Sequence, residues 1–380
     1  MKDIIRVLVV DDSQVVRQIL ISMIETEPGF QVVGQARDGE EAIRLTARLR
    51  PDVITMDIRM PRLDGLEAIR RIMSTTPTPI VVVASSAYET DRNIAFAAIE
   101  AGALTVVEKP AGITPKAYAA ARHQLITTIR LMSDVQVVTL KYPVPRLEGM
   151  TLPQEQRVLP TQWQIDKTQL IAIAASTGGP GVLREILSAL PADLSIPILA
   201  VQHITPGFSQ GFAQWLDSET PLQVSLAQDG ERVRPGHVLI APDDTHLTVT
   251  PAGIARLDKS PPVKGQRPSA TRLFESVARA YGAASVGVVL TGMGEDGADG
   301  LEVLHHSGGH IIAQDEQSCV VFGMPKVAIE RGVVNRVMPP DKIASVIKYL
   351  DTQRKAHRKE RNDQGGQQCR VEMQRSSENE

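Results

Sequence analysis

Cysteine is almost absent from this chain: Cys319 and Cys369 are the only two among 380 residues. That excludes a disulfide framework and a cysteine zinc site. No apolar run reaches the roughly 18 residues that a membrane-spanning helix needs. The opening Met1–Arg6 also lacks the apolar stretch and cleavage site of a secretory signal. A reducing, cytoplasmic setting without membrane insertion is therefore expected. An excess of charge of one sign is missing as well. The net charge of −3 exerts no global pull toward nucleic acid or an anionic membrane. What is present is globular: 42% hydrophobic and 22% charged residues exclude a mostly disordered chain. At roughly 150 residues per domain the length suggests two or three domains.

Periodicity divides the chain into two α/β blocks. In the first, residues 1–132, the short apolar runs Ile4–Val10, Gln31–Ala36, Asp52–Asp57, Ile80–Ser85 and Leu104–Val107 read as strands. Between them Val16, Ile19, Leu20, Met23 and Ile24, and again Leu66, Ile69, Ile72 and Met73, fall at helical spacing. Five such βα units imply a doubly wound parallel sheet with its site at the carboxyl ends of the strands. Residues 133–167 lose the periodicity and are punctuated by Pro143, Pro145, Pro153 and Pro160, which reads as a linker. The second block, residues 168–351, has buried-type strands at Leu170–Ala175, Ile196–Gln202 and Val286–Thr291. Val238–Ala241, Leu247–Thr250 and Ile254–Leu257 are expected to be antiparallel, the last two joined by a Pro251-Ala252-Gly253 turn. Residues 352–380 are polar with mixed charge and read as a disordered tail.

In the first block Asp11 and Asp12 end one strand and Asp57 ends the third, so three carboxylates should converge. Such a cluster suits a hard divalent cation. Ser85 and Lys109, at the ends of the fourth and fifth strands, bring a hydroxyl and an ammonium to the same place. No P-loop cradle is present, so a nucleotide site fits poorly. An aspartate that becomes acyl-phosphorylated fits well. Acids at strand ends can also be plain solvated helix caps, but the full constellation argues against that. The motifs Val9-Val10-Asp11-Asp12-Ser13, Met56-Asp57 through Asp64-Gly65, Ala84-Ser85-Ser86-Ala87 and Glu108-Lys109-Pro110 resemble the receiver domain of bacterial response regulators. The resemblance implies a flavodoxin-like (βα)5 fold, with Asp57 as phosphoacceptor. It implies Mg²⁺ held by Asp12, Asp57 and the Arg59 carbonyl, with Asp11 supporting the metal through water. Ser85 and Lys109 would be the switch hydroxyl and its salt-bridge partner. Many receivers carry an aromatic three residues before that lysine; Val106 stands there in this chain.

The second block's densest signal is Ala174-Ala175-Ser176-Thr177-Gly178-Gly179-Pro180-Gly181. An apolar strand enters a small-residue turn, with Pro180 suited to the first turn of a helix. This presents the Ser176 hydroxyl beside N–H groups able to stabilise an oxyanion. A phosphate-binding turn competes, yet the run is neither G-x-G-x-x-G, Walker A nor G-x-S-x-G. Among eight histidines, His203 stands out because it ends the next strand. His237 and His246 lie in the hairpin region, and His305, His306 and His310 flank a helix end. Either Asp296 or Glu295, in the glycine-rich Leu290–Gly297 loop, could orient an imidazole; Asp296 could instead cap the following helix. These segments, with Val201–Phe208, Leu239–Pro242 and Cys319–Pro325, are similar to the catalytic domain of the chemotaxis protein-glutamate methylesterase (CheB) family.

The resemblance implies a doubly wound, mainly parallel α/β esterase domain with an antiparallel hairpin. Ser176 would be the nucleophile, His203 the base, Asp296 its orienter and the Met293 N–H an oxyanion donor. It also implies ester hydrolysis and glutamine deamidation on methyl-accepting chemoreceptors, with a histidine kinase as phosphodonor. The receiver would cover the cleft until phosphorylated, and no cofactor is expected in the esterase half. The stretch Arg267–Phe274 departs from the family's R-P-S-V-D-V-L-F run at Ala270-Thr271-Arg272. Cys319 reads as packing in a strand-like run. The competing readings are a non-enzymatic or DNA-binding output domain; no helix-turn-helix or basic recognition stretch supports the latter.

Overall fold

The computed structural model describes residues 4–85, 96–110, 115–135, 137 and 168–357. Most of the expected linker, residues 136 and 138–167, and the tail from 358 onward lie outside the described residues, as does Cys369. A helix over residues 340–357 continues past the boundary expected at 351. Its buried Asp351 accepts both the backbone N–H and the hydroxyl of Ser195, each at 2.6 Å. Among the described residues no helix is long and apolar enough to cross a membrane.

The first sheet comprises β1 (Ile5–Val10), β2 (Phe30–Ala36), β3 (Val53–Met56), β4 (Ile80–Ala84) and β5 (Thr105–Glu108). Its order is β2-β1-β3-β4-β5, with every pair parallel. The topological switch therefore falls between β1 and β3, which sets the ends of these two strands side by side. β3 and β4 are buried at every position, as a sheet covered by helices on both faces requires.

The second sheet joins β6 (Leu170–Ala175), β7 (Ile198–Gln202), β8 (Gln223–Leu226), β9 (His237–Ile240), β12 (Ser285–Val289), β13 (His310–Gln314) and β14 (Arg336–Met338). It runs β14-β13-β12-β6-β7-β9-β8 and is parallel throughout. The antiparallel excursion is β10 (His246–Val249) with β11 (Ala255–Asp258), joined across the expected turn. The Val238–Ala241 segment differs from expectation. As β9 it lies parallel between β7 and β8, buried at every position. The chain first places β8 at the sheet edge and then returns to fill the gap, a crossover invisible in a four-residue apolar run. Cys319 follows a turn at 316–318 rather than lying in a strand; burial pushes its thiol up to about 12.

The two sheets share one apolar core. Phe96, in helical residues 96–100, is fully buried and stacks on Trp215 at 5.6 Å, with Phe212 at 5.5 Å and Phe208 edge-on at 6.5 Å. Polar contacts flank it. Gln124 on the helix Pro115–Met132 donates to the Thr205 hydroxyl at 3.0 Å, and that hydroxyl reaches the Val106 carbonyl at 3.3 Å. Arg184 pairs with Glu100 at 3.2 Å. Truncating a fully buried Phe costs about 3–5 kcal/mol. Phe96→Ala in a Trp163→Phe background is therefore expected to redden Trp215 emission and lower the denaturation midpoint. Unchanged emission and midpoint would show that this junction does not hold the halves together.

Candidate active site and phosphoacceptor pocket

β6 ends at Ala175 opposite Gln202 of β7, so Ser176 and His203 occupy the first positions beyond the paired ladder. The His203 N–H still donates to Ala175 O at 2.9 Å, and the Ser176 N–H to Thr291 O at 3.0 Å. Both residues line a cleft of about 560 Å³, together with Met293 and Gly294 of the loop after β12. That loop comes close because residue 292 is glycine. A Cβ there would lie 2.6 Å from the Ser176 Cβ.

His203 is almost wholly buried, and its Nε2 lies 2.9 Å from Asp296 Oδ2. Its Nδ1 is buried without a hydrogen-bond partner among the described residues. A carboxylate can only accept, so Nε2 carries the proton and Nδ1 keeps a lone pair for a base's work. Asp296 accepts from three further donors: the Ser269 hydroxyl at 2.7 Å, the Ala270 N–H at 2.7 Å and the Thr271 N–H at 3.2 Å. These belong to the start of the helix Ala270–Tyr281, whose N-cap is Ser269. A helix N-terminus favours an anion there. Burial by itself would raise the Asp296 carboxyl, but the His203 ring, the Ser269 hydroxyl and the Ala270 N–H outweigh it and hold it at about 2.

The alternatives that spacing left open are separated by these contacts. Glu295 is drawn away to Lys264 at 3.0 Å. His237 Nε2 pairs with the Ser225 hydroxyl at 2.9 Å. His246 is fully buried, accepting from the Ser269 N–H at 3.1 Å and donating to Pro261 O at 3.2 Å.

In the first sheet one oxygen each from Asp11, Asp12 and Asp57 lies within 4.8 Å of the others. Asp11 and Asp57 are buried and Asp12 is exposed. The Lys109 ammonium pairs with Asp57 Oδ2 at 2.7 Å and Asp11 Oδ2 at 2.9 Å. Burial pushes the Asp57 carboxyl up to about 6, against the lowering pull of Lys109 and with a further rise from Asp11. Burial would lower the Lys109 ammonium, but Asp57 and Asp11 outweigh it and hold it above its ordinary value. Apart from these ion pairs, Asp11 Oδ2 and Asp57 Oδ2 have no hydrogen-bond partner among the described residues. Three hard oxygens, two of them buried, and one open side fit an oxygen-loving divalent cation. Ser85 follows β4, half-buried, and Arg59 follows Asp57 by two residues, exposed.

Comparison with known proteins agrees with both halves. The response regulator receiver domain model matches residues 7–116 and the CheB methylesterase model residues 171–347. A protein-glutamate methylesterase/protein-glutamine glutaminase of Myxococcus xanthus is 48% identical over 90% of this chain and 96% of its own length. This chain belongs to the protein-glutamate methylesterase/protein-glutamine glutaminase family. A member from Syntrophus aciditrophicus is 45% identical over 91% of this chain and 98% of its own. The solved catalytic domain of Thermotoga maritima CheB methylesterase is 41% identical and covers 48% of this chain and 98% of that one, with a TM-score of 0.47.

Within this family frame, the site uses residues that sequence reasoning did not single out. Ser269 and the N–H groups of Ala270 and Thr271 form the seat of Asp296, and the Thr271 hydroxyl accepts the Gly297 N–H at 2.9 Å. The departure at Ala270-Thr271-Arg272 thus falls on the seat itself. Two of its donors are backbone N–H groups, which side-chain identity does not remove. The available signal was Ser269, a good N-cap placed just before the helical spacing of Leu273, Phe274 and Val277.

Because the Asp296 pKa is depressed from 3.8 to about 2, its contribution to stability is complete above the unfolded value and is lost as pH falls through about 2. The shift corresponds to about 2 kcal/mol. Denaturant unfolding of Asp296→Asn is expected to show a deficit of that size at pH 6 that closes by pH 2. A deficit that does not change with pH would mean that the carboxylate's charge is not what is held.

Proposed function

We propose that this chain is a phosphorylation-activated serine esterase that hydrolyses glutamate methyl esters on methyl-accepting chemoreceptors, releases methanol, and deamidates glutamines at the same site. The carrying observation is an imidazole bonded to Asp296 through Nε2, its Nδ1 unengaged among the described residues, in a residue that lines the same cleft as Ser176. In this reading Ser176 Oγ attacks the γ-carbonyl carbon while its proton passes to His203 Nδ1. The tetrahedral oxyanion is met by the Met293 N–H, a type of contact worth about 10²–10³-fold in rate. Collapse expels the methoxy group, which takes the proton from His203 and departs as methanol; a glutamine side chain would lose ammonia. His203 then draws a proton from water, whose oxygen attacks the acyl carbon and frees Ser176. Asp296 keeps the ring oriented and stabilises its charged form.

The switch is Asp57, phosphorylated at the expense of a histidine kinase. Mg²⁺, held by Asp12, Asp57 and the Arg59 carbonyl with Asp11 behind them, would supply countercharge to the phosphoryl oxygens when bound. Lys109 adds a positive charge that is already in place, and Ser85 offers a hydroxyl to the new group. The receiver spans 1–132, the connector 133–167 and the catalytic domain 168–351, which its last helix carries on to 357 ahead of the tail, acting in the cytoplasm beside the receptor's helical bundle. The unphosphorylated receiver restricts the cleft in this reading. In support, His123, Gln124 and Thr127 of the helix Pro115–Met132 line the same cavity as Ser176. Phosphorylation biases the domains toward separation.

The test is methanol release from receptor membranes carrying radiolabelled methyl esters, with and without a small phosphodonor. Ser176→Ala is expected to lose at least about 10³-fold of the rate, and Asp57→Asn to lose the phosphodonor's stimulation. Wild-type release from the first variant would remove the mechanism, and stimulation persisting in the second would remove the switch.

A further inference from the structure

The residue between strand and base has a side chain that the mechanism above does not use. Gln202 ends β7, is 3% exposed, and its amide nitrogen donates to two carbonyls: Ser176 O at 2.7 Å and His203 O at 2.8 Å. Both carbonyls lie just past the last paired rung of β6 and β7, where the sheet no longer fixes the spacing of the two chains. Two donated bonds fix which way the amide faces, since a flip would set its oxygen against both carbonyls.

This orientation has a cost. Gln202 Oε1 is buried and has no hydrogen-bond partner among the described residues, and an unsatisfied buried acceptor is destabilising. Gln314, the buried glutamine that ends β13, is different: its oxygen accepts the Thr291 N–H at 2.8 Å while its nitrogen donates to Ser318 O at 2.8 Å. A glutamine kept for packing alone would be satisfied at both ends, as Gln314 is. Room for the Gln202 amide comes from residue 179, where a Cβ would meet Gln202 Oε1 at 2.2 Å. The turn carrying Ser176 is thus shaped around this side chain.

We infer that Gln202 is a positioning residue that ties the Ser176 and His203 backbones together through one amide group, and so sets the approach of the nucleophile to its base. It acts through these two backbones and takes no proton or bond in the reaction proposed above, although it lines the same cleft. The inference rests on the Ser176–His203 reading. Ser176-dependent methanol release by the wild-type chain tests that reading separately.

The experiment uses Gln202→Met, which keeps the length of the side chain and removes both donors. Because a displacement near 1 Å can cost about 10²-fold, kcat for methanol release is expected to fall about 10- to 100-fold. KM for methylated receptor membranes should stay within about twofold, and the unfolding midpoint should fall modestly with the two lost hydrogen bonds. A kcat within twofold of wild type, or a rise in KM that accounts for the whole loss, would overturn the role. Should Gln202→Met not fold, Gln202→Glu is judged by the same kcat and KM criteria. Failure of both variants to fold would make Gln202 a packing residue and overturn the inference as well.

Discussion

The contact between His203 Nε2 and Asp296 Oδ2, 2.9 Å long and nearly dry, joins the end of a parallel strand to the start of a helix. The imidazole would otherwise turn about two side-chain torsions. Instead it is held by a carboxylate with donors of its own from Ser269, Ala270 and Thr271. Burial of a carboxylate is tolerable only where such donors converge, and the N-terminus of Ala270–Tyr281 brings them. Ser176 is set from the other side, by Thr291 and by the glycine at 292. The esterase chemistry therefore depends on three strand ends and one helix start meeting at a point, with the acid at the junction.

The receiver half has the same construction with the charges reversed in purpose. Its buried Asp57 is raised by burial yet paired with Lys109, so the pocket is short of positive charge and receptive to a cation. β5, which leads into Lys109, also carries the Val106 carbonyl met by the Thr205 hydroxyl. Thr205 lies two residues beyond His203. A short backbone path thus joins the Asp57 pocket to His203, while Phe96 and its aromatic neighbours supply the adhesion between halves.

Much of this was legible in the sequence, for identifiable reasons. Strands buried on both faces, such as β3, β4 and β6, announce themselves as short apolar runs. The residues at their carboxyl ends could then be placed by topology alone. The edge strands β8 and β14 were missed because they are partly exposed and carry polar side chains, and the buried β13 because its apolar stretch is only Ile311-Ile312-Ala313 between His310 and Gln314. β9 was misoriented because sheet position does not follow from four apolar residues. Spacing could not separate Asp296 from Glu295, adjacent in one loop. That choice is made by a helix from 26 residues upstream at Ala270 and by Lys264, which draws Glu295 away. The interdomain packing of Phe96 carried no motif and emerged only from the assembled fold.

The most direct measurement is to treat the chain with a fluorophosphonate, digest it and locate the adduct by mass spectrometry, with and without prior phosphorylation of Asp57. The account requires a single phosphonyl group on Ser176, formed faster in the phosphorylated protein. An adduct on another residue, or no adduct at all, would contradict the serine mechanism. A Ser176 adduct formed at the same rate in both states would contradict the coupling between the two halves.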